Sequence, residues 1–301
     1  MSMHRPTSRP AIGGFHALAG ALAGGFRHWR LLLLWWLAGL LPAALAAQSL
    51  SSLMNRAFGF HPEAGRIAAD TDVAALADGL MGLGDNAANA FSGVLSGTAF
   101  AFLLATLLAP WAAGMLVASL REGRALAFGE LWLGGWREYG RMLRLWLVAL
   151  LPSALAGMTV ILAFIWAWQG EERQILEATA RQRGHIALAI AAIAGLLVYA
   201  NLEAGRAAFV RDPALRSAFH AWLRGLRLLC QRPFAVLLAV ALTLAASLAL
   251  NALPLMAAPA HASGTAMLLA TQLAVLAMGW LRVARLSALS AITPASTPPA
   301  R

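Results

Sequence analysis

The seven histidines, His4, His16, His28, His61, His185, His220 and His261, are the side chains of this sequence best suited to holding a transition metal. No two of them form an H-x-x-x-H or H-E-x-x-H pair, so none share a helix face at ligand spacing. Asp70, Asp72, Asp78 and Asp85 offer oxygen ligands, but Ala68, Ala69, Val73 and Ala74 break the spacing a calcium loop requires. A solvated acidic loop with a short helix over Val73 to Leu83 is expected instead. There is no phosphate-binding Walker loop and no G-x-S-x-G elbow. The single Cys230 excludes an internal disulfide, a four-thiolate iron–sulfur cluster and a cysteine-based zinc knuckle. It stands beside Arg227 and Arg232 and reads as structural filler. The expectation is therefore no metal and no cofactor.

Polar groups inside apolar runs are the remaining chemical candidates, because hydrocarbon cannot satisfy them. Asn201 and Glu203 stand at the boundary of one such run, Asn251 and Gln272 lie inside two others, and Gln48 sits at an end. A hydrogen bond between Asn251 and Gln272 would act as packing glue worth about 1 kcal/mol. No Asp, Glu, Arg or His is centred in a run, which argues against proton-coupled or ion-coupled transport.

The elements carrying these groups are set by composition. Of 301 residues 60% are hydrophobic and 12% charged, with a mean hydropathy of +0.69, more apolar surface than a soluble domain could hide. A hydrocarbon core takes about 20 apolar residues as a helix. Six runs of that kind occur, near Leu31 to Leu50, Gly97 to Leu120, Leu145 to Trp168, Ile186 to Leu202, Phe234 to Ala257 and Gly264 to Leu281. The second begins nearer Phe91, so Pro110 is expected to kink it or the helix to tilt. The first, after Arg27 and Arg30, is too long for a signal-peptide core and is expected to be a retained span. The fold class is thus an all-α polytopic membrane protein with six transmembrane helices in one membrane domain, 1–301.

All 23 basic residues are Arg, which with the abundance of Ala, Leu and Gly suggests a bacterial origin. Eighteen of them fall before the first span, in the second and fourth connections and after the last span. The other three connections hold Arg56, Arg66, Arg173, Arg181 and Arg183 and are net acidic. Positive charge stays cytoplasmic, so both termini are expected inside a bacterial inner membrane. The net charge of +10 then belongs to a surface facing anionic lipid, and no nucleic-acid partner is expected.

An internal repeat is visible. Ala23 to Ala46 aligns without a gap to Leu133 to Ala156, sharing Gly24/Gly134, Gly25/Gly135, Arg27/Arg137, Trp36/Trp146 and Pro42/Pro152. A weaker third copy places Gly225 and Arg227 at Gly25 and Arg27, and Gly24-Gly25, Gly134-Gly135 and Gly225 are expected where each surface helix bends into its span. A second element, Leu120 to Arg124, Leu202 to Arg206 and Leu281 to Arg285, is expected to close each hairpin, with Arg facing the negative helix end and the lipid phosphates. Three parallel repeats follow, 1–120, 121–206 and 207–290, with 291–301 a disordered tail. Each repeat is expected to begin with an amphipathic surface helix. In the third, Asp212-Pro213 would start the helix, Leu215, Phe219, Trp222, Leu223 and Leu226 would form its apolar face, and Arg216, Arg224 and Arg227 its headgroup-binding face. In the second, Phe128 to Arg144 would lie in the same way, presenting Arg137, Arg141 and Arg144. Trp132, Trp146, Trp166, Trp168 and Trp280 are expected as interface anchors.

The Gly-Arg-Ala turn after the second span, the Phe128 to Arg144 stretch and the run Tyr199 to Pro233 resemble a broad group of uncharacterised six-span bacterial inner-membrane proteins. They are also similar to the membrane domains attached to some glycerophosphodiester phosphodiesterases. The resemblance covers roughly Phe15 to Leu286 and implies no catalytic residues, since the soluble phosphodiesterase barrel has no counterpart here. The function expected is a non-catalytic module that contacts anionic lipid and organises or binds other envelope proteins. A conduit for a lipid or small apolar molecule and a lipid-modifying enzyme are the alternatives.

Overall fold

The computed structural model describes residues 14–59, 73–168, 177–256 and 264–294, and among these it is helical with no strand. The helices are α1 (Gly14–Gly24), α2 (Trp29–Phe58), α3 (Val73–Met81), α4 (Ala87–Glu122), α5 (Phe128–Trp168), α6 (Glu177–Arg211), α7 (Ala218–Gln231), α8 (Pro233–Met256) and α9 (Gly264–Ile292). Six of them, with α1 running on into α2 through a single 3-10 turn at Gly25–His28, are long and apolar enough to cross a membrane. Pro42, Pro110 and Pro152 all lie inside helices. The short α3 falls where the acidic loop's helix was expected. The tail beyond Pro294 lies outside the described residues, and α9 itself runs to Ile292.

The core sits at one end of the bundle. Its members begin at Trp111 in α4, Ala200 in α6 and Val283 in α9, and end at Leu145 in α5 and Val240 in α8. These are the first turns of outgoing spans and the last turns of returning ones, so they share the arginine-rich end. Away from it, Leu95, Phe102, Leu151, Met158, Leu248 and Leu268 are exposed, as lipid-facing side chains must be.

Three entry segments pack on three returning spans. α1 packs on α9 and α8, the beginning of α5 on α4, and α7 on α6 and α5. A glycine marks each crossing. A Cβ on Gly25 would collide with the Trp280 indole, one on Gly135 would lie 2.6 Å from Trp111 Nε1, and one on Gly225 would lie 2.7 Å from Asn201 O and Gly205 N. Small side chains permit such approach in a membrane, where tight packing replaces the hydrophobic effect between helices.

Four expectations are corrected. Gly134-Gly135 does not bend a surface helix into a span: α5 is one continuous 41-residue helix, because Gly135 serves close approach to Gly114 and Trp111. At 1.5 Å per residue that is about 60 Å, twice the hydrocarbon thickness, so its Phe128 to Arg144 part extends the span axis. The helix after Asp212-Pro213 starts later, at Ala218 with Ser217 as N-cap, while Asp212 instead accepts from Ala214 N at 3.1 Å in a turn. Leu202 to Arg206 and Leu281 to Arg285 do not close their helices, which continue to Arg211 and Ile292; only Gly123, at φ 64°, ends one. Trp280 packs against Gly25 and Phe26, with its Nε1 buried, and is not an interface anchor.

Candidate functional site

Glu203 and Arg206 stand one helical turn apart on α6, and Arg282 and Arg285 one turn apart on α9. Because both helices run on past these residues, all four enter the packed end of the bundle. Glu203 is fully buried and Arg285 nearly so. Arg206 Nη1 donates to Glu203 Oε1 at 2.5 Å, and Arg285 Nη2 stands 3.8 Å from the same oxygen. Arg285 also donates to the Tyr199 hydroxyl and, at 3.3 Å, to Thr243 Oγ1 of α8, with its guanidinium over the Tyr199 ring at 4.9 Å. Arg282 lies within Coulombic reach of the Glu203 carboxylate as well.

The cluster is cation-rich and incompletely matched. Three guanidinium groups face one carboxylate, while Glu203 Oε2, Arg282 Nε, Arg285 Nε and the nearby Asn201 Oδ1 are buried without a partner. Buried polar atoms are rarely left this way, and such groups concentrate where ligands or water are handled. Arg282 differs from the others in facing open space: it lines a cavity of about 160 Å³ between α2, α4 and α9.

A second group holds the α4, α5 and α6 ends together. Glu138, buried in α5, accepts from Arg121 at 2.6 Å and from Arg141 at 3.1 Å. Those arginines also donate to Phe209 O in the last turn of α6, at 2.9 Å, and to Pro213 O in the loop after it, at 3.3 Å. Arg124 and Glu130 form an exposed two-pronged pair at 2.7 and 3.1 Å, and the carboxylate raises the Arg124 guanidinium above its ordinary range. Glu130 Oε2 also accepts from Ala127 N at 2.8 Å, the reach-back of a capping box.

The residues expected at headgroups divide accordingly. Arg141 is tied to Glu138, and Arg224 to Asp212 at 2.7 Å. Arg137 is exposed but lines a cavity of about 380 Å³ whose other charges, Glu122, Glu130 and Glu138 among them, are mixed. Arg144 and Arg216 come together, from α5 and the loop before α7, on a groove of about 560 Å³ floored by Leu147, Val148 and Phe219. Arg227 is exposed on α7. That helix has three stripes where two were expected: Ala218, Ala221, Gly225 and Leu228 are buried, Phe219, Leu223 and Leu226 exposed, and Arg224 and Arg227 form the third. Leu215 is buried as well, and Cys230 is exposed.

The intramembrane polar residues do not pair as expected. Gln272 accepts from Trp36 Nε1 at 2.7 Å, joining α9 to α2. Asn251 donates instead to Ser247 O at 3.0 Å and Met278 Sδ at 2.8 Å. Asn201 lies under Gly225 at the α6 and α7 crossing. Tyr199, Thr243, Arg206, Arg282 and Arg285 were not singled out as one site by the sequence. The signal was present as two cationic or ion-paired turns at the same offset, Glu203/Arg206 and Arg282/Arg285. Among the described residues no three His, Cys, Asp or Glu side chains gather at metal-binding distance.

Comparison of the chain with protein-family models, with curated proteins and with solved structures finds no match.

Proposed function

We propose that this multi-pass membrane protein is a non-catalytic module of a bacterial inner membrane that collects anionic lipid around its arginine-rich end and offers that end to other envelope proteins. The observation carrying the reading is the convergence of Arg144 and Arg216 on one apolar-floored groove. Two cations contributed by separate elements over Leu147, Val148 and Phe219 suit a phosphate with an acyl chain beneath it, and neither has a carboxylate partner lining the groove. The exposed Phe219, Leu223 and Leu226 stripe of α7 supports an interfacial depth for the same surface. With the positive-inside bias, that end is cytoplasmic.

The same reading includes a threefold internal repeat. Gly25, Gly135 and Gly225 occupy equivalent positions in the alignment, and each meets the returning span of the hairpin before it, the first meeting the last. This cyclic exchange supports three parallel units joined through their entry segments.

The test is lipid retention by the full chain, measured by native mass spectrometry after extraction from mixed phosphatidylglycerol and phosphatidylcholine bilayers. Wild type should retain phosphatidylglycerol preferentially, and Arg144→Gln/Arg216→Gln should lose most of that preference. Arg224→Gln, whose cation is already held by Asp212, should change it little. Equal retention of both lipids by wild type would overturn the reading.

A further inference from the structure

The cavity beside Arg282 is the part of the molecule this surface reading leaves unexplained. Ala38, Gly39 and Pro42 line it from α2, Ala105 and Ala109 from α4, and Arg282 from α9. Trp35 and Pro42, Ala105 and Ala112, and Val275 and Arg282 all line it, the members of each pair seven positions apart. Each stretch spans about 10 Å of helix, so the cavity is a slot running along the spans. Its volume comes from small side chains on facing helices, and a Cβ on Gly39 would meet open space. At about 160 Å³ it has room for a few methylenes of an alkyl chain, the rest of which would lie in the bilayer.

Three features determine the guest. Gly39, Ala105 and Ala109 are exposed on the flank of the bundle, so the slot opens sideways toward hydrocarbon. Its walls are apolar except at the arginine-rich end, where Arg282 stands with Nε buried and unpartnered. The charge behind Arg282 is unbalanced, because Arg206 and Arg285 already engage the one carboxylate, Glu203. A cation in such surroundings gains from an anion that arrives with its own apolar chain.

The geometry points to a binding site for a single-chain anionic amphiphile, entering laterally from the bilayer, with its phosphate or carboxylate on Arg282 and its chain in the slot between α2, α4 and α9. The site is separate from the Arg144 and Arg216 groove, and it stands or falls independently of the surface reading.

The experiment uses the full chain in phosphatidylcholine nanodiscs, titrated with dodecyl phosphate, dodecanoate, dodecanol or inorganic phosphate, with bound adducts counted by native mass spectrometry. Dodecyl phosphate or dodecanoate should bind saturably with one-to-one stoichiometry, and dodecanol and inorganic phosphate at least about tenfold more weakly, a difference of about 1.4 kcal/mol. Arg282→Gln removes the charge and Ala109→Leu fills the slot without touching the charge; both should weaken dodecyl phosphate binding about tenfold or more. Arg282→Lys should recover part of the loss, and Arg56→Gln, at the far end of α2, should have no effect. Equal binding of dodecanol would overturn the role of the charge, and equal binding of inorganic phosphate the role of the chain. Unchanged affinity in Ala109→Leu, with the variant as thermally stable as wild type, would overturn the location.

Discussion

Gly225 of α7 and Gly205 of α6 meet backbone to backbone: a Cβ on the first would stand 2.7 Å from the amide nitrogen of the second. Since backbone cannot swing aside as a side chain can, any larger residue at 225 must lift α7 from α6. Gly225→Ala should cost about 1–3 kcal/mol by overpacking. Gly157→Ala, whose Cβ meets nothing within 4 Å, should be neutral or gain up to about 1 kcal/mol from helix propensity. Thermal unfolding in a mild detergent distinguishes them, and equal stability of the two variants would contradict the contact.

Among the described residues, Glu203 is the one carboxylate that Arg206, Arg282 and Arg285 share. Glu203→Gln should therefore destabilise by about 3–5 kcal/mol, as expected when one partner of a buried pair is removed and the other charge stays. Changing Glu203→Gln together with Arg206→Met should be milder than Glu203→Gln alone, since it removes a cation with the anion. A double variant no better than the single one would show that the pair is not what Glu203 balances.

The Trp36 and Gln272 hydrogen bond joins the first and last hairpins inside the membrane. A double-mutant cycle with Trp36→Phe and Gln272→Leu should give a coupling of about 0.6 kcal/mol, and below about 2 kcal/mol, as for other bonds between membrane helices. Zero coupling would mean that the two side chains do not depend on each other.

Arg121 joins Glu138 to the carbonyl of Phe209. Arg121→Ala should leave the end of α6 frayed, so amide exchange from about residue 209 to the loop before α7 should accelerate while the α8 interior stays protected. Exchange that is unchanged there would assign the end of α6 to packing alone.

A reporter active only outside the cytoplasm should be silent when fused after Arg301 or within 121–144, and active within 62–85. Activity at the C-terminus would reverse the orientation proposed from the arginine distribution.

The spans were legible because a bilayer imposes one length and one composition on any helix crossing it. The close approach of Gly25 and Gly135 was signalled by their shared register with Arg27 and Arg137, although the contact role replaced the expected bend. The arginine cluster was harder to read. Glu203 and Arg285 lie 82 residues apart, and each stands where an apolar run meets charge, the ordinary sign of a helix end facing water. Only the extra turns to Arg211 and Ile292, packed against the entry segments, make that boundary an interior. The slot left no sequence signal, since alanine and glycine fill this chain and only three helices assembled together reveal which of them face a void.

The core shared by the first turns of α5 and α8 and the last turns of α4, α6 and α9 leaves the opposite halves of the hairpins tied mainly within themselves. Such a body responds to the bilayer as a set of levers clamped at one base. A thicker or more tightly compressed membrane loads the free arms, and the torque reaches the clamp where Glu203, Arg206 and Arg285 lie. A change in bilayer thickness would in this way load the charged interior, and the side opening at Gly39 and Ala109 lies where the arms of α2 and α4 leave the clamp.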